Sequence, residues 1–269
     1  MNRLMSMEDV LAGWHDQASV YQQTVTWDAK ASRWETLPIP TWQGDPFLCM
    51  LDEEVEFRPD MTVLDIGCGS GVYGFAIAPR VRSVIGVDVS PKMIEAAERR
   101  AVVEGIDNVS FVTGDFLEAG LPESFDLVFA HMTPAIRDGE TFKRMLDLAS
   151  EYCYMAKPCR RTDPVLQESQ RIMGIPAVES GDRDEAVLRA LMAVWQGGMT
   201  PSMRHHHEQW NTPRTVGEAL SFFRDQQTPE GLGADAYEAV TRYIESLAVE
   251  GTVLETIDTE IVMMGWKMR

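Results

Sequence analysis

The stretch Val63-Leu64-Asp65-Ile66-Gly67-Cys68-Gly69-Ser70-Gly71 decides how this chain folds. Thr62 to Ile66 is short, apolar and strand-like, and Gly71 to Pro79 opens a helix. Between them, Gly67, Gly69 and Gly71 let the backbone turn sharply and let a ligand approach with no Cβ in the way. A glycine turn of this kind is weak on its own, because nicotinamide- and flavin-dinucleotide folds use one too. Asp65, at the end of the strand and two residues before Gly67, discriminates. A pyrophosphate held at a helix N-terminus disfavours a neighbouring anion. A carboxylate there suits a cationic ligand, met directly or through water.

Downstream, strands and helices alternate. Ser83 to Val87 reads as a second strand ending at Asp88, and Ser90-Pro91 is an N-cap followed by proline at the first helical position. The helix that follows carries Met93, Ile94, Ala97 and Ala101 on one face. Val109 to Val112, Phe125 to Ala130 and Tyr152 to Ala156 are expected as three further strands, with a helix over Thr141 to Ala149. Such alternation predicts a doubly wound parallel sheet. Asp65, Asp88 and Asp115 then stand at three successive strand ends, on the carboxyl edge where these sheets bind ligands.

Four segments, VLDIGCGSG (63–71), VIGVDVSPKMIEAA (84–97), VSFVTGDF (109–116) and FDLVFAHMTPAI (125–136), resemble the class I S-adenosylmethionine-dependent methyltransferases. The resemblance covers roughly residues 45 to 157, more loosely the end of the chain. It implies an α/β fold with a seven-stranded, mainly parallel sheet whose last strand is antiparallel. It also implies a donor site for S-adenosyl-L-methionine. Asp65, Gly67 and Gly69 would hold the methionine end, Asp88 the two ribose hydroxyls, and Asp115 and Phe116 the adenine by acceptance and stacking. Cys68, Gly71, Val89, Met93, Gly114 and His131 complete that expected set. Methylators of nucleic-acid bases carry an Asn/Asp/Ser-Pro-Pro-aromatic tetrapeptide. His131-Met132-Thr133-Pro134-Ala135-Ile136 departs from it, which argues against base amino groups as acceptors. AHMTPAI, with Trp27-Asp28 upstream, is similar to a bacterial and archaeal subgroup of unassigned substrate.

Around this core the expected organisation is a cap or lid over residues 1–45, the donor-binding core over 46–160, a helical insertion over 161–200, and completion of the sheet over 201–269. The cap holds Trp14, Tyr21, Trp27, Trp34 and Trp42, which serve either as packing or as a lid whose rings face the sulfonium. The formal charge is −18, which disfavours nucleic acid and anionic membranes as partners. No apolar run reaches the length of a bilayer span, and no secretory signal is visible. Cys49, Cys68, Cys153 and Cys159 form no CxxC pair and read as reduced thiols of a cytoplasmic protein.

Direct methyl transfer needs alignment and exclusion of water, and a base only for some acceptors. His131 and Tyr21 are the candidate bases, with a structural loop histidine as the plainer alternative for His131. His205 and His207 would share one face of a strand, but no third ligand accompanies them. A solvated strand or a substrate-facing histidine is preferred to a metal. Cys68 is read as a small filler. A small-molecule acceptor is expected. The rivals are a donor-binding subunit without catalysis and an NAD-dependent oxidoreductase, against which Asp65 and Gly114-Asp115-Phe116 speak.

Overall fold

The computed structural model describes residues 5–15, 24–175, 180–225 and 233–269. Its strands are β1 (Thr62–Ile66), β2 (Ser83–Asp88), β3 (Val109–Thr113), β4 (Phe125–His131), β5 (Ala149–Thr162), β6 (Ser202–Thr215) and β7 (Thr252–Lys267). They form one seven-stranded sheet in the order β3-β2-β1-β4-β5-β7-β6. The first five are parallel, with Asp65 opposite Gly86 and Phe129, and Asp88 opposite Thr113. Their apolar runs are buried as expected for strands covered on both faces; Val63, Leu64, Ile66 and Leu127 to Ala130 are wholly buried.

Side-chain pairs give the direction of β7. Gln209 Nε2 donates to Asp258 Oδ1 at 3.1 Å and Thr256 Oγ1 to Asn211 Oδ1 at 3.0 Å, so numbers rise on β6 as they fall on β7. Thr259 faces the carbonyl of Cys159, and Met268 N that of Glu151, which runs β7 against β5 as well. The sheet is therefore mainly parallel with antiparallel pairing at its end.

The helices are α1 (Met7–Ala12), α2 (Thr24–Asp28), α3 (Ala31–Trp34), α4 (Pro46–Glu54), α5 (Val72–Ile77), α6 (Pro91–Glu104), α7 (Gly139–Leu148), α8 (Pro164–Met173), α9 (Ser180–Gln196), α10 (Val216–Leu220) and α11 (Ala234–Leu247). Ser90 caps α6 by accepting from Met93 N at 3.2 Å, with Pro91 at the first helical position.

The chain divides into two compact units. Met1–Lys157, Ala186–Arg204 and Val262–Arg269 make the first; Pro158–Glu185 and His205–Ile261 make the second. This departs from a continuous insertion over 161–200. Gly174, at φ +70, ends α8 and breaks the helical stretch. The later part of α9 then places Ala190, Ala193 and Val194 in the first unit's core, the cluster that also holds Phe142 and Trp266. The second unit has a core of its own, built on Val165, Phe223, Val240, Ile244 and Val253.

The expected cap also divides. Val10, Leu11 and Trp14 belong to the first unit's core, and the Trp14 ring lies 5.3 Å from that of Phe142. A Cβ at Gly139 would stand 2.0 Å from the Leu11 carbonyl oxygen, so α1 lies directly on α7. Residues 24–37 go elsewhere.

Candidate donor site

Parallel register brings the carboxyl ends of β1 to β4 to one edge, and the glycine loop folds over that edge. Gly67 N and Cys68 N donate to the Val87 carbonyl at 2.8 and 3.1 Å. Gly67, Gly69 and Gly71 take φ values of +68, +53 and +80, a region that a side chain resists. At Gly67 the need is also steric, because a Cβ there would stand 1.9 Å from Thr133 Oγ1. At Gly69 the nearest neighbour of such a Cβ is the Trp34 ring at 3.7 Å, an ordinary contact.

Asp65 is 3% exposed, sealed beneath the loop. Burial pushes its carboxyl up to about 8, nearby Asp88 adds to the rise, and a hydrogen bond from the Gly74 amide opposes it. Asp88 accepts from Gly69 N at Oδ2 and from Ser90 N at Oδ1, both at 2.9 Å. Its carboxyl is also raised, mostly by burial, with those two bonds lowering it and Asp28 raising it. Each Asp88 oxygen keeps a further lone pair for a ligand hydroxyl. Cys68 is buried, its thiol pushed well up by burial, and its sulfur would stand 2.8 Å from a Cβ at Gly86. It fills space.

The end of β3 departs from expectation. Gly114 N donates to the Asp88 carbonyl at 2.9 Å, and nothing approaches Gly114 from the side where a Cβ would stand. Asp115 is engaged by Leu117 N at 2.9 Å and by Arg137 Nη1 at 3.2 Å. Phe116 is 3% exposed and belongs to the buried core cluster that also holds Ile66 and Val87, so most of its ring is covered by protein. Met93 is likewise buried, while Val89 keeps part of its surface.

His131 ends β4 between two rings, 4.0 Å from Tyr73 and 4.8 Å from Phe47. Burial lowers its pKa to about 3, so the imidazole is neutral near pH 7 and a poor proton acceptor. Tyr73 in turn donates to Asp45 Oδ2 at 2.8 Å. Tyr21 lies outside the described residues.

The structure adds residues that the sequence did not single out by role. Ser70 Oγ donates to the Trp34 carbonyl at 2.8 Å, and Ser90 Oγ to Asp28 Oδ1 at 2.6 Å. Lys92 N reaches the same Asp28 oxygen at 3.3 Å, and Arg99 pairs with Glu35 at 2.8 Å. Residues 24–37 are thus fastened to both the glycine loop and the start of α6. Trp27-Asp28 was the only local sign of this. Lys157, at the end of the first unit's part of β5, is buried, and its Nζ donates to the Thr133 and Ile136 carbonyls.

In the second unit, His205 lies 3.4 Å from Glu260 and His207 3.5 Å from Asp258. Among the described residues no group of three or more His, Cys, Asp or Glu side chains is placed to hold a metal ion.

A methyltransferase-domain family model matches residues 57–195 of the chain. The nocamycin O-methyltransferase of Saccharothrix syringae is 29% identical over 173 residues, covering 62% of this chain and 59% of that protein. The aklanonic acid methyltransferase of a Streptomyces species is 36% identical over 121 residues, covering 42% and 53%. The chain thus spans about three fifths or less of the length of these relatives. The crystal structure of YcgJ from Bacillus subtilis shares the fold at a TM-score of 0.50, 18% identity, with 82% of this chain and 97% of that one covered. The [4+2]-cyclase SpnF shares it at 0.50 and 13%, covering 93% and 97%.

Proposed function

Since the chain belongs to the class I S-adenosylmethionine-dependent methyltransferases, we propose that it methylates a small-molecule acceptor by direct in-line displacement. The observation that carries this reading is the lock between the glycine loop and Asp88: a loop bare of side chains, in left-handed backbone, hydrogen-bonded to the acid that ends the next strand. The residues present fit the donor. The glycine loop accepts its methionine end closely, Asp88 keeps acceptor capacity for the ribose, and Asp65, its carboxyl pushed up to about 8 by burial, gives up its proton when a cation faces it. When bound, S-adenosylmethionine would supply an electrophilic methyl carbon: an acceptor lone pair would bond to that carbon as its bond to the positive sulfur breaks, with S-adenosylhomocysteine as the leaving group.

The chain's own part is to orient and to exclude water. Trp34 and Asp28 fasten residues 24–37 beside the loop, so this part of the cap borders the donor. Gly114 leaves open space at the adenine end. His131, neutral between its two rings, serves as wall. Acceptors that bring their own nucleophilicity, such as a thiolate or an acidic hydroxyl, fit a site whose histidine is a poor base. The charge of −18 favours a small molecule over nucleic acid, and the relatives named for nocamycin and aklanonic acid are in keeping with a small organic acceptor. A cytoplasmic location belongs to the same proposal and rests on the four free cysteines.

SpnF, named as a cyclase, shares this fold, so donor binding and methyl transfer need separate tests. Calorimetric titration with S-adenosylmethionine, S-adenosylhomocysteine and NAD tests the first. Micromolar binding of the first two and none of NAD is expected; binding of NAD alone sinks the proposal. Methyl-labelled donor incubated with cell extract tests the second: label in a small product supports transfer, and donor binding without any transfer favours the non-catalytic subunit.

A further inference from the structure

We propose that Lys157 is a positioning residue for methyl transfer, holding the segment after β4 against the donor loop through Thr133. The inference rests on the donor reading given above. Lys157 is 8% exposed, and its Nζ donates to the carbonyl of Thr133 at 2.6 Å and to that of Ile136 at 2.7 Å. The backbone beside it is tied in too: Met132 N donates to the Ala156 carbonyl at 2.9 Å, one residue before Lys157.

Residues 132–136 need such a hold. Met132 stands at φ +52, a left-handed conformation that a side chain resists. Thr133 and Ile136 turn their carbonyls inward, where a buried oxygen without a donor would be costly. A single Nζ satisfies both. The segment so fixed closes on itself, with Ala135 N donating to Thr133 Oγ1 at 3.1 Å.

On its other side Thr133 meets the donor loop. Its Oγ1 and Cβ occupy the space that a side chain on residue 67 would need, at 1.9 and 2.6 Å from that Cβ position. Gly67 cannot shift toward β4 while Thr133 is there, and Thr133 cannot leave while Lys157 holds its carbonyl. The order of contact is therefore Lys157, Thr133, Gly67. The donor loop's position is set from Lys157, within β5, as well as from Asp88. The same segment follows His131, which the donor reading takes as a wall of the site. Lys157 thus couples the acceptor wall to the donor cradle.

The test is calorimetric titration of S-adenosylhomocysteine into the wild type, Lys157→Met, Thr133→Ala, Thr133→Ser and the double variant Lys157→Met/Thr133→Ala, with circular dichroism as the check of folding. Each of the first two single variants should bind about tenfold more weakly, the scale of coupling through a packed contact. The double variant should bind no more weakly than the worse single one, because both break one chain of contacts. Thr133→Ser, which keeps Oγ1, should bind within about twofold of wild type on the same scale. A folded Lys157→Met with wild-type affinity, or fully additive losses in the double variant, overturns the proposal. Should Lys157→Met fail to fold, Thr133→Ala carries the test by amide exchange: unchanged exchange at Gly67 to Ser70 together with unchanged affinity overturns it. Absence of S-adenosylhomocysteine binding by the wild type is a different outcome, and fells the donor reading instead.

Discussion

Gly69 N donates to Asp88 Oδ2 at 2.9 Å, so the glycine loop and the acid at the end of β2 form one hydrogen-bonded unit. Ser90 N engages the other carboxylate oxygen at 2.9 Å. Asp88 therefore shapes the site as well as facing it.

Substitution of Asp88 by Ala removes both bonds and the acceptor for the ribose. Donor affinity should fall by about 2–4 kcal/mol, the value of two charge-assisted hydrogen bonds. Asp88→Asn keeps one acceptor oxygen and should lose less. Calorimetry with S-adenosylhomocysteine ranks the three proteins. Equal affinity for Asp88→Ala and wild type would remove Asp88 from the site.

Gly67 and Gly69 should respond differently to the same change. Gly67→Ala meets Thr133 Oγ1 at 1.9 Å on top of a positive φ, whereas Gly69→Ala meets only the Trp34 ring at 3.7 Å. Backbone strain alone costs about 1–2 kcal/mol for an alanine in left-handed conformation. Gly69→Ala should lose about that much stability, and Gly67→Ala distinctly more. Denaturant midpoints for the two variants give the comparison, and equal losses would contradict the overlap at Thr133.

The state of Asp65 makes the pH dependence specific. Its folded value of about 8 lies above the ordinary 3.8, so folding takes up a proton between these limits. This contribution to stability is complete below about pH 4 and is lost as pH rises through 8. Asp65→Asn cannot ionise and should flatten that decline, gaining on the wild type as pH rises from 3.8 to 8 and keeping a constant lead above it. A cationic donor favours the ionised acid, so S-adenosylmethionine should bind more tightly as pH rises toward 8, with proton release at pH 7. Titrations in phosphate and in Tris report that release as a difference in apparent enthalpy. Identical enthalpies after correction for protein-free controls would place Asp65 outside the donor's field.

The two parts of the N-terminal segment should exchange amide hydrogens differently. Residues 7–14 carry Val10, Leu11 and Trp14 into the core and should be protected with or without ligand. Residues 24–36 are fastened by a few polar contacts around Asp28, Trp34 and Glu35, and should gain protection when S-adenosylhomocysteine binds. Equal, high protection of 24–36 in both states would make that part core as well.

Local sequence was enough for the strand-helix alternation, the glycine loop, and Asp65 and Asp88 at their strand ends. These follow from apolar period, cap residues and glycine, all properties of windows a few residues long. Three outcomes were decided by tertiary structure. Phe116 turned into the first unit's buried core because a buried aromatic gains more from packing than from an open edge. The pKa of His131 is lowered by burial, with Phe47 and Tyr73, far away in sequence, packed against its ring. The cap divided because α1 found α7, whereas Asp28 found Ser90 across 62 positions. Lys157 likewise reaches Thr133 across 24 positions, from the neighbouring strand. Which strand ends lie side by side depends on the sheet order, and a hydrogen bond of under 3 Å between them is set by register across strands, which no single stretch of sequence contains.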